Sequence, residues 1–236
     1  ITNAPIADFA TVMATVDPSL GLKGLNFFLV EKKEGTRDGF ERGQTLPKIG
    51  ARCSTTGELI FDNVFVPEEN FLGEEIGMGV RYAGEILNEV RTTTALTSCA
   101  IAREAIKHAK RWANIRVAHG RPIGEYQLIR EKFARFWAWY EAARHYAYRC
   151  AWMIQNGIPC LHECMMCKIF ATEMCMDAVE QGMRIHGGNA YCTENPAQRY
   201  WRDAKFMLYG GGAHEVLWDF LGKAYLKRDI LNDTYA

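Results

Sequence analysis

The chain has 236 residues, 48% of them hydrophobic, with 28 basic against 28 acidic residues and a formal net charge of zero. That length holds one or two domains around a sizeable core, while the balanced charge argues against a nucleic-acid binder and against a disordered chain. No long uncharged apolar run is present, so no membrane span is expected.

Ile1-Thr2-Asn3-Ala4-Pro5 carries neither an initiator Met nor a signal peptide, so the start is expected to be the interior of a longer protein. Leu25 to Val30 is a short apolar run bounded by glycines, and Gly57 to Val66 alternates in part, with Asp62-Asn63 as a turn and Pro67 as its end. From about Gly77 the period becomes helical. Met78, Val80, Ala83, Ile86 and Leu87 start a pattern that continues through Ala95, Cys99, Ala102, Ile106 and Ala109.

A second helix is expected from about Tyr126 to Gln155, whose Phe133, Phe136, Trp137, Tyr140 and Tyr146 stand at the spacing of a bundle core. A third covers about His162 to Arg184, and shorter ones cover Pro196 to Met207 and Ala213 to Lys227. Long antiparallel helices with short joints make a four-helix bundle. The fold class is therefore α+β and mostly α: a partial β-barrel or sandwich over residues 1–72, then a long-helix four-helix bundle over 73–236.

Eight cysteines admit two readings. Cys160, His162, Cys164 and Cys167 have a spacing that suits zinc. The helical period from Glu163 to Met176 instead makes them small buried hydrophobes, which is preferred, and no metal is expected. So many unpatterned cysteines also favour a reducing compartment.

The densest pattern is Arg184-Ile185-His186-Gly187-Gly188-Asn189-Ala190-Tyr191, followed by Tyr200-Trp201-Arg202-Asp203-Ala204-Lys205 and Tyr209-Gly210-Gly211-Gly212-Ala213-His214-Glu215. Glycine pairs let a ligand approach the backbone closely, and helix N-termini behind flexible backbone present free N–H groups. This stretch resembles the C-terminal signature of the acyl-CoA dehydrogenase family, in which Gly-Gly, Arg-Asp-Ala-Lys and Tyr-Glu-Gly-Thr follow in that order. Two further stretches share the resemblance: Gly50-Ala51-Arg52-Cys53-Ser54-Thr55-Thr56, and Trp112-Ala113-Asn114-Ile115-Arg116-Val117-Ala118-His119-Gly120-Arg121-Pro122-Ile123. The resemblance covers the whole chain but only about the second half of the family's length, without the N-terminal helical domain.

The resemblance implies an FAD-dependent dehydrogenase of acyl-CoA thioesters. Arg116 would reach the pyrophosphate of an FAD held mainly by a neighbouring subunit, as a guanidinium binds phosphate bidentately. Gly187, Gly188 and Arg184 would serve the same dinucleotide, and His119, Ala213 and Glu215 are placed beside it. Thr2 matches a threonine near flavin N5, while Arg91, Gly211 and Gly212 match the acyl-CoA site. Self-association to a dimer or tetramer, electron-transferring flavoprotein as acceptor, and a bacterial cytoplasmic or mitochondrial matrix location are implied in the same way.

The catalytic base departs from the pattern. The family glutamate removes the proton α to the thioester carbonyl, and its usual position here is Gly211. A minority position on the first long helix falls on Val90, with Glu89 one residue away, about 100° round the helix. Glu89 is the candidate base within the chain. The alternatives are a base from the missing half, a non-catalytic subunit paired with an active homologue, and a flavin monooxygenase-type relative.

Overall fold

The computed structural model describes residues 1–32 and 39–227; residues 228–236, the tail of the expected helical half, lie outside them. The chain divides into two compact units, Ile1–Ile86 and Leu87–Ala236. Among the described residues no helix is long and apolar enough to cross a membrane.

Among the described residues the first unit carries small antiparallel sheets and no closed barrel. Strands β1 (Phe9–Thr15), β2 (Leu25–Glu31) and β5 (Phe71–Leu72) form one sheet in the order β1-β2-β5, and β3 (Phe40–Thr45) pairs with β4 (Gly57–Phe61). The register sets Phe9 opposite Glu31 and Thr15 opposite Leu25. Strand β2 coincides with the first apolar run of the sequence, whereas β4 takes only the first half of the second, which leaves the sheet at Asp62-Asn63 and carries Val64 and Val66 outside any strand. By contrast, β1 turns Ala10, Val12 and Ala14 inward while the larger Phe9 and Met13 face out, so its alternation runs against the usual polarity. Strand β3, Phe-Glu-Arg-Gly-Gln-Thr, is polar apart from Phe40, and neither strand gives a clear sequence signal. Buried Asn26 ties β2 to the chain that follows β5, accepting from Gly77 N–H at 2.7 Å and donating to Gly24 O at 2.8 Å.

Helices α1 (Gly79–Ile115), α2 (Gln127–Gln155) and α3 (Leu161–His186) are the long elements, with α4 (Ala197–Lys205) and α5 (His214–Tyr225) after them. A short hairpin of β6 (Val117–Ala118) and β7 (Arg121–Pro122) joins α1 to α2. Four helices share one core: Ala95, Ala102 and Ile106 of α1, Phe136, Tyr140 and Ala147 of α2, Cys167, Ala171 and Ala178 of α3, and Ala204 of α4. Alanine and cysteine dominate the facing positions, which lets backbones approach closely and leaves few large side chains to fill the seams. Leu217 and Leu221 of α5 close a second cluster on Met165 and Ile169 of α3.

The aromatic stripe of α2 divides. Phe136 and Tyr140 are buried, Phe133 and Tyr146 pack against the same core, and Trp137 is 46% exposed. Position 137 lies about 100° from 136 on the helix, which carries it off the buried face.

The cysteines on α3 are core residues. Cys160, Cys164, Cys167 and Cys175 are buried, with Cys150 of α2 and Cys99 of α1 against them, and Cys164 Sγ lies 3.6 Å from Cys160 Sγ. His162 turns away from these thiols onto Phe220 and Tyr225 of α5. Burial pushes the Cys99 thiol up to about 11 and Cys160 and Cys175 to about 12, so all three are un-ionised at neutral pH.

Candidate functional site

Two groups of polar residues stand at different levels of the helical unit. The first is at the end where α1 and α3 finish and α2 begins. Ala109 and Ala113 of α1 pack there on Ile185 of α3, with Trp112, Ile123, Ile129 and Phe133 around them. Arg116 follows directly on α1. Its N–H still bonds Trp112 O at 2.9 Å, but the exposed guanidinium has no hydrogen-bond or ion-pair partner among the described residues. The next residues turn back sharply: His119 and Gly120 have φ of 48° and 83°, the paired positive values of a two-residue hairpin turn. His119 is thereby held exposed at the hairpin tip, while Tyr126 Oη donates to Ala118 O at 2.8 Å behind it.

At the same end, Gly187 stops α3 with φ 62° and donates its N–H to Met183 O and Arg184 O. That N–H is therefore engaged in capping. Where a Cβ would stand on Gly187 or Gly188 there is no atom within 4 Å, so both glycines face open space. Arg184 is exposed and already paired, its Nε 2.9 Å from Glu180 Oε1.

His186, unassigned by sequence reasoning, is 4% exposed and stacked between His108 (ring centroids 4.5 Å apart) and Trp112 (5.6 Å). Its Nδ1 lies 2.8 Å from Gly182 O, which makes Nδ1 the donor and leaves Nε2 buried without a partner. A groove of about 560 Å³ opens beside it, lined by His108, Trp112, Asn189 and Asn195. His108 is held below the ordinary histidine range by burial first and then by the neighbouring charges of His186 and Arg111.

The second group surrounds the glycine loop Tyr209–Gly212, which joins the turn Phe206–Leu208 to α5. Arg91 of α1 is 6% exposed, its Nε donates to Gly211 O at 3.1 Å, and its Nη1 is buried without a partner. Burial lowers the Arg91 pKa. Lys168 of α3 is fully buried, and its Nζ donates to Leu208 O at 2.9 Å and Gly212 O at 2.7 Å. Burial, and then Arg91, bring this lysine down to about 8. Lys168 escaped sequence reasoning, although a single lysine on the buried stripe of a helix is itself a signal, since unpaired buried charge is costly.

His214, the first residue of α5, meets Thr172 Oγ1 at 2.8 Å through Nε2 and lies 3.5 Å from Glu173 through Nδ1. Burial and then Lys168 lower its pKa. Ala213 caps α5 in extended backbone, and Glu215 is exposed in its first turn.

Gly211 has φ 72°, in the left-handed region that favours glycine, and a Cβ there would stand 3.4 Å from Arg91 Cγ and 3.7 Å from Thr94 Oγ1. Arg91, Gly211 and Gly212 are thus brought together. Glu89 is exposed and stands about 200° round α1 from Arg91, so its side chain leaves the helix on another side from the loop. From Arg91 to Arg116 is 25 residues (116 − 91), about 37 Å at helical rise. The two groups are therefore separate places within one copy. Thr2 belongs to the first unit, where it bridges Thr56 and lines a groove of about 660 Å³ with Asn3, Phe9, Leu59 and Phe61.

A guanidinium with no partner among the described residues, at the same bundle end as open glycine backbone, supplies the groups an anion-binding arrangement needs. A glycine loop held by two buried cations suits a ligand bearing negative charge or a polarised carbonyl.

A profile of the acyl-CoA dehydrogenase C-terminal domain matches residues 77–226. Benzylmalonyl-CoA dehydrogenase of Aromatoleum aromaticum is 37% identical over 217 residues, 92% of this chain and 56% of that protein. Mitochondrial isovaleryl-CoA dehydrogenase of Oryza sativa subsp. japonica is 35% identical over 228 residues, 97% of this chain and 55% of that one. Among solved structures, butyryl-CoA dehydrogenase of Megasphaera elsdenii superposes with a TM-score of 0.89 at 35% identity, covering 96% of this chain and 58% of that one. The chain thus spans little more than half the length of these relatives.

Proposed function

The chain belongs to the acyl-CoA dehydrogenase family, whose members are FAD-dependent flavoproteins, and from that premise we propose that it binds FAD and takes part in α,β-dehydrogenation of an acyl-CoA thioester. The observation that carries the reading is the first group: Arg116, exposed and without a partner among the described residues, at the bundle end where Gly187 and Gly188 face open space. Those residues fit a dinucleotide diphosphate, while the bare Nε2 of His186 is an acceptor that suits a hydroxyl or amino donor of the nucleotide rather than its phosphate oxygens. Arg116 would hold the diphosphate by charge and fork geometry, and the glycines would admit its oxygens close to the backbone. Bound FAD supplies the two-electron acceptor.

The 37 Å between Arg116 and Arg91 supports assembly from at least two copies, each lending its bundle end to the reaction centre of the other. In the second group, Arg91 and Lys168 fix the loop that lies against the acyl group. Neither Gly211 nor exposed Glu89 offers a buried carboxylate there. Electron-transferring flavoprotein is the proposed acceptor, in a bacterial cytoplasm or mitochondrial matrix.

The test is the full-length protein, purified and examined anaerobically. It is expected to absorb as an oxidised flavin and to lose that absorbance on addition of a suitable acyl-CoA. A protein that takes up no FAD at any subunit concentration overturns the proposal. One that binds FAD but consumes oxygen with externally reduced flavin supports the monooxygenase alternative instead.

A further inference from the structure

We propose, on the reading just given, that the substrate carries a carboxylate on the α carbon of its acyl group, that this carboxylate seats on Arg91 beneath the glycine loop, and that its loss as CO2 replaces proton abstraction. The starting observation is charge without a partner. Arg91 and Lys168 are both buried against one loop, and the contacts made by their charged ends are with carbonyl oxygens: Gly211 O for Arg91, Leu208 O and Gly212 O for Lys168. Among the described residues neither forms a salt bridge, and Arg91 Nη1 has no partner of any kind. Buried charges are ordinarily paired, because an unpaired one forfeits its hydration. An arriving anion would offset that cost.

Shape points the same way. Gly210, Gly211 and Gly212 present no side chains, and the nearest atom to a Cβ built on Gly211 is Arg91 Cγ at ordinary contact distance, 3.4 Å. A carboxylate on a side chain at 211 would run alongside Arg91, yet the chain has glycine there in a backbone conformation that disfavours any other residue. Two buried cations therefore stand at this loop with no carboxylate at position 211; Glu215, which attracts Lys168, is exposed on α5 and forms no salt bridge with either cation among the described residues. A substrate carboxylate fills that role, and it belongs on the α carbon because a base at 211 would act on that atom.

The chemistry then needs no base. The bond between the carboxyl carbon and the α carbon breaks and CO2 departs. Its electron pair stays on the α carbon, delocalised into the thioester carbonyl. The negative charge moves only two bonds, within reach of Arg91 throughout. Overall, a 2-carboxyacyl thioester, one proton and an oxidised flavin give the 2-enoyl thioester, CO2 and the two-electron-reduced flavin.

The test uses the full-length protein and pairs of thioesters that differ only in the carboxylate. For binding, malonyl-CoA is compared with acetyl-CoA by calorimetry on the FAD-free protein, since neither has a β hydrogen to lose. Malonyl-CoA is expected to bind at least about tenfold tighter, as a charge-assisted contact to a buried guanidinium implies, and Arg91→Met should abolish the difference. For reaction, ethylmalonyl-CoA is compared with butyryl-CoA on the FAD-loaded protein. The carboxylated ester should bleach the flavin and release one CO2 per flavin reduced, while butyryl-CoA should leave it oxidised.

Equal affinities, or bleaching by butyryl-CoA as fast as by ethylmalonyl-CoA with no CO2, overturn the proposal while leaving the dehydrogenase reading intact. Failure to bind FAD sinks that reading, and the malonyl-to-acetyl ratio still decides this one. Should Arg91→Met not fold, Gly211→Glu serves: a carboxylate beside Arg91 should remove the malonyl preference and let butyryl-CoA bleach the flavin. Retention of the preference in that variant overturns the assignment of Arg91.

Discussion

Replacing Lys168 by Met tests how the glycine loop is held. Met conserves the volume and unbranched shape of the side chain, so the change is one of charge and hydrogen bonding. Two opposing effects follow at neutral pH. Loss of the ammonium leaves Leu208 O and Gly212 O without their donor, at about 1–3 kcal/mol each. Against that, the lysine is charged at a site where burial brings it from 10.5 to about 8, so holding it protonated costs about 3 kcal/mol in the folded state. The two nearly cancel at pH 7, and the variant should lie within about 2 kcal/mol of the wild type.

The pH dependence separates them. Between the folded value near 8 and the unfolded value near 10.5, the unfolded chain binds a proton that the folded chain has released, so stability rises with pH across that window. The wild type should therefore gain about 2.5 kcal/mol relative to Lys168→Met between pH 7 and pH 10. Paired urea titrations at several pH values, followed by circular dichroism, measure this difference, and subtraction cancels the titrating groups that Lys168 does not touch, while His214, which Lys168 lowers, titrates below this window. A difference that stays flat or shrinks with pH would refute the account, because it would mean the lysine is not desolvated where it sits.

The buried thiols run the other way: their folded values near 11 to 12 lie above the ordinary value of 9.0, so they stabilise the fold below pH 9 and that contribution is lost as pH rises further. In the folded protein a thiol reagent should label Cys53 and Cys192 quickly and the six buried cysteines only on unfolding; rapid labelling of more than two contradicts the packing. Arg116→Ala should weaken FAD binding by about ten- to a hundredfold, the scale of a charge-assisted contact, whereas Arg184→Ala should cost less because Glu180 already holds that guanidinium. Fluorescence titration with FAD ranks the two, and a reversed order rejects Arg116 as the diphosphate ligand. Ala143→Leu should destabilise by about 1–3 kcal/mol, because Ala143 is fully buried in the four-helix core, and a thermal melt reads it.

The helices were legible because their burial is periodic. Ala95, Cys99, Ala102, Ile106 and Ala109 form one face of α1, and the structure buries all of them. The strands were legible only where large apolar residues face inward. In β1 two of the three inward residues are alanines and Phe9 is 63% exposed, so pattern alone hides the strand. Arg91, Gly211 and Gly212 were proposed through a resemblance that fixes position along the chain, which says nothing of what each residue touches.

Lys168 and His186 show what that kind of reading leaves out. A helical wheel puts Lys168 on the buried stripe with Cys164, Ala171 and Cys175, where apolar neighbours make a lysine look like an exception. Its partners are carbonyls at positions 208 and 212, supplied by a loop with no periodic signal of its own. His186 sits before a glycine pair and reads as part of the turn, yet its ring is fixed from two helices: Gly182 within α3, and His108 and Trp112 across on α1. In both cases the side chain's chemistry depends on groups far away in sequence. The loop carbonyls give Lys168 and Arg91 a role of their own: without those two cations, Leu208 O, Gly211 O and Gly212 O would lose their donors and three consecutive glycines would have little to fix them. The cations hold the loop whether or not an anion is bound, and that leaves Arg91 Nη1 available to meet one.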